Sequence, residues 1–313
     1  MAVSPQSQQP QQPKLPPVGP AWAGTLMGTS IASTLSLIHG WTWLAYGFLV
    51  IATVVLAVLS IGWLRHRNPG FHQEFMGPWG MVAMGVLALG AAWTGVTGMW
   101  SFQLIAYAIA LPLGLITCLW QLRKFSGAPT FLWGLGLVAP MVAATSGGQL
   151  SAAGVLPRAF WVISVGCFAL SFLTAVPTFA RVYLALIRRT TSIPASMAGS
   201  TWIPLGIAGQ STAAAQVLFF GDKAAVIYGT TFFVVAIPMF IYAAYRYWGA
   251  AFTWANYSPA WWGATFPIGT MSLGCHYLSV ATGLGWWDAL SKIFLALVII
   301  HLSLNTVRAL KTA

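Results

Sequence analysis

The sequence predicts an all-α integral membrane protein with ten transmembrane helices. Only 5% of the 313 residues are charged, whereas 58% are hydrophobic, and soluble domains carry roughly a quarter charged residues. Soluble enzymes, nucleic-acid-binding proteins and disordered scaffolds are therefore excluded. Apolar runs such as residues 49–64 lack the alternation of membrane β-barrel strands, which favours helices.

The elements follow in order from the N-terminus. Residues 1–20 are rich in Gln, Pro and Ser and lack the apolar core of a signal peptide, which predicts a disordered cytoplasmic tail. Apolar segments near the roughly 20 residues that cross a bilayer then make up a ten-helix domain over residues 21–308, and residues 309–313 form a short cytoplasmic C-terminus. The predicted helices span residues 21–40, 43–64, 77–97, 101–122, 130–149, 158–187, 201–220, 224–247, 260–282 and 287–308.

The basic residues predict the orientation. The net charge is +11, with 14 Lys and Arg residues against three acids. Three basic residues fall in opposite loops and Arg181 falls inside the sixth helix. The positive-inside rule places both termini in the cytoplasm, so the excess charge marks orientation in the plasma membrane and predicts no nucleic-acid partner. The ten basic residues of this cytoplasmic face are Lys14, Arg65, Arg67, Arg123, Lys124, Arg188, Arg189, Arg246, Arg308 and Lys311.

These basic clusters recur every 58 to 65 residues, which predicts five helical hairpins in a quasi-fivefold arrangement. The odd-numbered helices carry proline or glycine where the even-numbered ones are uniformly apolar. Such breakers are tolerated where they face protein or water, so the five odd-numbered helices are expected to line a pore. The alternative is that glycine and alanine only allow helices to pack closely. The predicted breakers are Gly28, Gly85, Pro140, Pro204 and Pro267.

Four stretches resemble the tellurite-resistance/dicarboxylate transporter family, which includes bacterial TehA, plant slow-type anion channels, fungal sulfite efflux pumps and yeast malate permease. They read GPAWAGTLMGTSIA (19–32), PMVAATSGGQL (140–150), TWIPLGIAGQS (201–211) and SPAWWGATFPIGT (258–270). The resemblance covers roughly residues 18–310. It implies a homotrimer with one pore in each protomer, occluded by Phe266 of the Thr265-Phe266-Pro267 tripeptide. Ser30 departs from the family, because relatives often have glycine there.

The predicted path is neutral. The odd-numbered helices contain no Asp, Glu, Lys or Arg, so they cannot form the acidic ring common in cation channels or an Arg fork for a dicarboxylate. Weak neutral donors suit an anion that enters and leaves quickly, and the basic rim would concentrate anions. Phe266 precedes a proline, which restricts its backbone, and a hydrophobic constriction gates by excluding water. The candidate pore-lining polar residues are Thr25, Thr29, Ser30, Thr145, Ser146, Gln149, Gln210, Ser211, Thr265 and Thr270.

Few ionisable residues remain for other roles. Arg181 either snorkels to the interface or lines a cytoplasmic vestibule. His276 and His301 either carry protons or pack as hydrogen-bonded histidines. The three cysteines lie in apolar runs at no metal-ligand spacing, so no metal site is expected.

The sequence thus favours a selective channel or uniporter for small anions. The alternative is an exporter of sulfite, tellurite or C4-dicarboxylates such as malate, linked to protons or to protonation of the substrate. A haem protein would need facing axial histidines, and the five histidines show no repeated pairing within helices. No hydrolase motif is present, so neither an enzyme nor a bound cofactor is expected.

Overall fold

The computed structural model describes residues 15–312. Within this range the regular elements are ten α-helices and five short 3-10 segments. The ten expected helices are present, and seven of them are long and apolar enough to cross a membrane. Their bounds are α1 Ala23–Ile38, α2 Thr42–His66, α3 Met76–Thr97, α4 Trp100–Arg123, α5 Gly134–Ala152, α6 Pro157–Ile187, α7 Ile203–Leu218, α8 Lys223–Phe252, α9 Thr265–Thr282 and α10 Gly285–Thr312.

The odd-numbered helices share the same structure at their N-terminal ends. Each is preceded by a 3-10 segment, and these segments are Pro20–Trp22, Gln73–Phe75, Phe131–Trp133, Ala195–Trp202 and Pro259–Ala264. The 16 residues of α1 and of α7 reach about 24 Å at ~1.5 Å per residue, which is short of a hydrocarbon core of about 30 Å. The tighter 3-10 backbone extends these helices at their start, and part of it is buried in protein.

The odd-numbered helices form the interior. Within the 18-residue apolar stretch that is long enough to cross a membrane, 94% of the residues are buried in α5, whereas 22% are buried in α8. The outer helices instead expose apolar side chains, as a lipid-facing surface requires. Examples of these exposed side chains are Val50, Val54, Ile105, Ile109, Leu173, Val234, Ile241, Ile293 and Ile300.

The helix contacts close into a cycle. α1 contacts α3, α3 contacts α5, α5 contacts α7, α7 contacts α9, and α9 contacts α1. Each odd-numbered helix also contacts the even-numbered helix that follows it, across turns of two to four residues. Five short helices are therefore surrounded by five longer ones.

Small residues allow the inner helices to approach closely. A Cβ built on Gly28 of α1 would lie 2.8 Å from the Cβ of Thr265 in α9, and one on Gly85 of α3 would lie 2.8 Å from Leu26 in α1. A side chain at position 28 would press on the Cβ of Thr265, and one at position 85 would displace the side chain of Leu26. Both glycines therefore lie at close contacts between inner helices, and their role as breakers stays a prediction.

The predicted proline breakers lie at different places in their helices. Of the three predicted breakers, Pro140 alone lies inside a helix, α5, where its missing N–H removes one backbone hydrogen bond. Pro204 and Pro267 lie in the first turns of α7 and α9, directly after the 3-10 segments, so they lie where the backbone changes from 3-10 to α-helical. Their role as breakers at mid-membrane stays a prediction.

The two ends of the described chain join the helical domain. Residues 1–14 of the predicted tail lie outside the described residues, whereas residues 15–20 are described and lead into the first 3-10 segment. Gly19 and Pro20 are buried, and Trp22 Nε1 donates to the carbonyl oxygen of Pro16 over 3.1 Å. At the other end α10 continues to Thr312, four residues past the predicted end of the helix.

Candidate functional site

A narrow cavity lies at the centre of the inner helices. It has a volume of ≈ 40 Å³, and all five odd-numbered helices contribute to its wall. All of its lining residues are uncharged, and half of them are aliphatic. They are Ile31, Thr34, Leu87, Ala88, Ala91, Val142, Thr145, Ser146, Gln149, Gln210, Phe266 and Leu273. We call this space the central cavity.

Phe266 is the aromatic residue of that wall, and its side chain is buried, with 4% exposed. Its position is set by the start of α9. Thr265 donates to the carbonyl oxygen of Trp262 over 2.8 Å, which closes the junction between the 3-10 segment and the helix. A Cβ on Gly206 of α7 would lie 3.6 Å from the ring of Pro267, so the first turn of α9 packs directly on α7. The phenyl ring is thus held at the beginning of an inner helix.

A larger cavity lies at the starts of the inner helices, with a volume of ≈ 330 Å³. We call it the vestibule. It is lined by residues at the beginning of each odd-numbered helix, among them Ala21, Gly77, Leu135, Ile203 and Gly263. In the 3-10 segment before α9 the vestibule wall ends at Gly263, and the central cavity wall begins three residues later, at Phe266 in α9. The phenylalanine therefore lies on the side of the central cavity that faces the vestibule.

Two polar groups hold one another in the wall of the central cavity. Gln210 Nε2 of α7 donates to Thr145 Oγ1 of α5 over 2.7 Å, while Gln210 Oε1 is buried without a donor. Because the two ends of an amide are interchangeable at the level of heavy atoms, a rotated amide would accept from Thr145 and leave its N–H₂ group free. The pair thus leaves one buried amide atom without a partner in the described part of the chain, an acceptor in one orientation and a donor in the other.

A second polar group in this wall involves residues that the sequence interpretation missed. Gln103 Nε2 of α4 donates to Gln149 Oε1 over 2.7 Å and to Ser146 Oγ over 3.1 Å. Gln149 Nε2 in turn donates to the hydroxyl of Tyr277 in α9 over 2.9 Å. Gln103 is buried in a strongly apolar helix, and such an isolated amide is itself a sign of a polar partner within the bundle.

Other predicted lining residues lie elsewhere. Thr25 and Thr29 line an outward-facing groove that also contains residues of α2 and α10. The hydroxyl of Ser30 is buried and has no hydrogen-bond partner among residues 15–312. Ser211 accepts from Tyr228 of α8 over 2.8 Å, and Thr270 donates to the carbonyl oxygen of Pro267 over 2.7 Å. Within the described residues, the structure brings Thr145, Ser146, Gln149, Gln210 and Phe266 together around the central cavity and places the rest in packing contacts.

Arg181 and the histidines lie away from the central cavity wall. Arg181 is exposed, and its guanidinium lies 5.7 Å from the ring centroid of Trp133, a vestibule residue. His301 is buried, with its ring 4.3 Å from that of Tyr247. His39, after α1, lies 6.1 Å from His276 between ring centroids. Arg181 therefore contacts one vestibule residue without lining the vestibule itself, and the packing interpretation describes His301.

The comparisons with known proteins agree with this architecture. The family model SLAC1, described as voltage-dependent anion channel, matches residues 17–310, which is nearly the whole described chain. A search of curated proteins gave no significant match. The match confirms the family that the four sequence motifs indicated. The chain therefore belongs to the SLAC1 family of voltage-dependent anion channels, within the tellurite-resistance/dicarboxylate transporter group.

Proposed function

We propose that the protein conducts small anions passively through the central cavity, with Phe266 as the constriction. The observation that carries this proposal is the position of that ring in the wall of a ≈ 40 Å³ cavity, on the side facing a ≈ 330 Å³ vestibule. An anion with a full shell of waters, each about 30 Å³, does not fit the smaller space. Passage requires partial loss of water beside an apolar ring, which is the condition for a hydrophobic gate.

The uncharged wall of the central cavity is suited to binding anions weakly. Conduction requires sites that are favourable enough to enter and weak enough to leave. A buried arginine would hold an anion through charge-assisted hydrogen bonds of about 1.5–3 kcal/mol each, whereas the central cavity offers the hydroxyls and amides of residues such as Thr145 and Gln210. These groups replace part of the hydration shell without trapping the ion.

The assembly belongs to the same proposal. The cyclic contacts of the odd-numbered helices support a quasi-fivefold arrangement of hairpins around one path in each protomer. The family resemblance implies a homotrimer in the plasma membrane, and the basic residues on one face imply cytoplasmic termini. Size-exclusion chromatography with light scattering tests the trimer, and cysteine labelling of either face in intact cells tests the orientation.

The second candidate function is a proton-linked exporter. A cluster of ionisable residues favours it, and this cluster lies at the ends of the helices opposite the vestibule. His39 Nδ1 lies 3.7 Å from Asp288 Oδ1, His276 faces the same histidine, and Lys292 Nζ lies 2.7 Å from Asp288 Oδ2. Ionisable groups that meet between membrane helices are the usual components of proton relays. This cluster could exchange protons with the outer solution.

Flux into proteoliposomes distinguishes the two functions. Chloride, nitrate, sulfite, tellurite and malate would be compared with and without a proton gradient. A channel gives electrogenic flux that does not saturate at low concentration and does not need the gradient. A saturable flux that requires the gradient would instead establish the exporter, and the absence of flux for every anion would refute both.

A further inference from the structure

A buried arginine lies outside the proposed pathway, near the end of α10. Arg308 is 2% exposed, and its Nη2 donates to the carbonyl oxygen of Ala255. The guanidinium carbon lies 3.9 Å from the ring centroid of Trp261 and 4.9 Å from that of Trp254. Nε and Nη1 have no acceptor within the described part of the chain. Two donors of a buried cation are therefore unsatisfied.

The protein has no acidic side chain to offer this arginine. Its three Asp and Glu residues are engaged elsewhere. Glu74 pairs with Lys124 over 3.5 Å, Asp222 accepts from the backbone N–H of Ala224 over 2.8 Å, and Asp288 pairs with Lys292. A buried guanidinium with two unpaired donor nitrogens is unfavourable, so a bound anion is the expected partner.

The space for such an anion is present. Arg308 lines a cavity of ≈ 200 Å³, which we call the α10 pocket. The exposed Lys311 places its Nζ 5.0 Å from the ring centroid of Trp254 and lines the same pocket. The remaining lining residues are Trp254, Ala255, Asn256, Tyr257 and Thr312. Two cations and an amide thus surround one small space, the donor set that a phosphate group needs.

The surroundings indicate which phosphate compound would occupy the pocket. An outward-facing apolar groove of ≈ 850 Å³, lined by residues such as Val54, Val58 and Leu310, shares Thr312 with the α10 pocket. Trp22 of the groove lies 6.3 Å from Tyr257 of the pocket between ring centroids. A basic pocket that continues into an apolar groove between membrane helices suits a molecule with an anionic head and hydrocarbon chains.

We propose that the α10 pocket binds the phosphate headgroup of an anionic phospholipid, with an acyl chain in the adjoining groove. The guanidinium of Arg308 and the ammonium of Lys311 hold the phosphate, and the lipid supplies a negative charge that none of the three acidic side chains supplies. The pocket shares no lining residue with the vestibule or the central cavity. Lipid binding is thus independent of the proposed conduction.

Thermal unfolding in mixed micelles tests the proposal by binding rather than flux. Detergent-purified protein would be titrated with phosphatidylglycerol, phosphatidylcholine or inorganic phosphate at matched ionic strength. Arg308→Gln and Lys311→Gln remove one cation each, and Arg188→Gln removes the same charge from an exposed residue just after α6 as a matched control. Lys311→Gln leaves the buried arginine in place, so the test remains informative if Arg308→Gln does not fold.

Phosphatidylglycerol is expected to stabilise the parent protein, and phosphatidylcholine to stabilise it much less. Arg308→Gln should weaken the apparent affinity about tenfold or more, the value of one charge-assisted hydrogen bond. Lys311→Gln should weaken it severalfold, and Arg188→Gln should match the parent. Equal effects of the two lipids, or full affinity in both pocket variants, would overturn the site. An Arg308-dependent shift of the same size with inorganic phosphate would overturn the lipid as its occupant.

Discussion

Replacing Phe266 with alanine should increase anion flux. The ring borders a cavity of only ≈ 40 Å³, and its removal opens a benzene-sized space, on the order of 100 Å³. An anion could then keep waters that it must otherwise lose. Each hydrogen bond to a charged group is worth about 1.5–3 kcal/mol, so keeping one water lowers the barrier enough to raise the rate roughly ten- to a hundredfold.

The assay is chloride or nitrate flux into proteoliposomes at matched protein density. Phe252→Ala is the matched control, because it removes the same ring from a side chain that is 83% exposed at the end of α8. Phe266→Leu keeps part of the bulk and should give an intermediate rate. Unfolding temperatures measured beside the fluxes ensure that each variant is folded.

Two outcomes of the flux assay would refute the assignment of Phe266 as the gate. Equal fluxes for Phe266→Ala, Phe252→Ala and the parent protein, with unchanged unfolding temperatures, would show that the ring does not limit passage. A lower flux in Phe266→Ala would show that the ring supports the path instead of closing it. Both results would refute the hydrophobic constriction.

Three further changes test the packing, the wall chemistry and the outer cluster. Gly28→Ala should lower the unfolding free energy by about 1–3 kcal/mol through overpacking, whereas Gly47→Ala, with open space at its Cβ, should be neutral or stabilising in a denaturation assay; equal effects would refute close packing. Gln210→Glu should reduce anion flux at least about a hundredfold, since two like charges about 4 Å apart repel by ~4 kcal/mol at an effective dielectric constant near 20, and unchanged flux would remove this residue from the path. Burial lowers the pKa of His39 in the α1–α2 turn despite the attraction of Asp288, so the unfolded chain binds the proton first and stability falls as the pH drops through the ordinary histidine range, about 6.5. Lowering the pH from about 7.5 to about 5.5 should therefore reduce the unfolding temperature less in His39→Asn than in the parent protein; an equal reduction would contradict this assignment.

The outer helices could be located from the sequence because their signal is strong and simple. The predicted span 43–64 is found as Thr42–His66, and 101–122 as Trp100–Arg123. Long uniform apolar runs leave few places for such a helix to begin or end. The inner helices were harder to delimit: the span predicted from residue 260 becomes α-helical only at Thr265, because the preceding residues form a 3-10 segment, which is common at helix starts.

The presence of proline within a helix does not distinguish the inner helices from the outer ones. α4, α6 and α8 of the outer layer carry the interior prolines Pro112, Pro177 and Pro238, and α5 carries Pro140. A membrane helix tolerates proline wherever neighbouring groups satisfy the freed backbone. The features that do separate the layers are short length, abundant small residues and a 3-10 start, all of which follow from burial on every side.

The wall of the cavity could be predicted only in part. Phe266, Thr145 and Gln210 line it, whereas Thr25 and Thr29 face the outer groove. An amphipathic helix shows its orientation in the sequence because polar and apolar residues lie on different faces. A helix such as α7, buried almost throughout, has no such contrast, so its rotation about its own axis depends on contacts that spacing does not encode.

The packing of the inner helices and the proposed conduction both depend on how closely these helices approach one another. A neutral wall can replace an ion's lost waters only if its hydroxyls and amides come close to the ion, so the path must be narrow. Close approach requires glycine at contacts such as Gly28 with Thr265, which draws α1 toward α9 and Phe266 toward the axis. A bulkier residue there should widen the ring of helices while it destabilises the fold. Anion flux into proteoliposomes that contain Gly28→Ala separates the two effects. We expect this flux to rise, because Phe266, the proposed gate, would move outward with α9. Destabilisation without any change in flux would show that this contact supports the fold and leaves the gate in place.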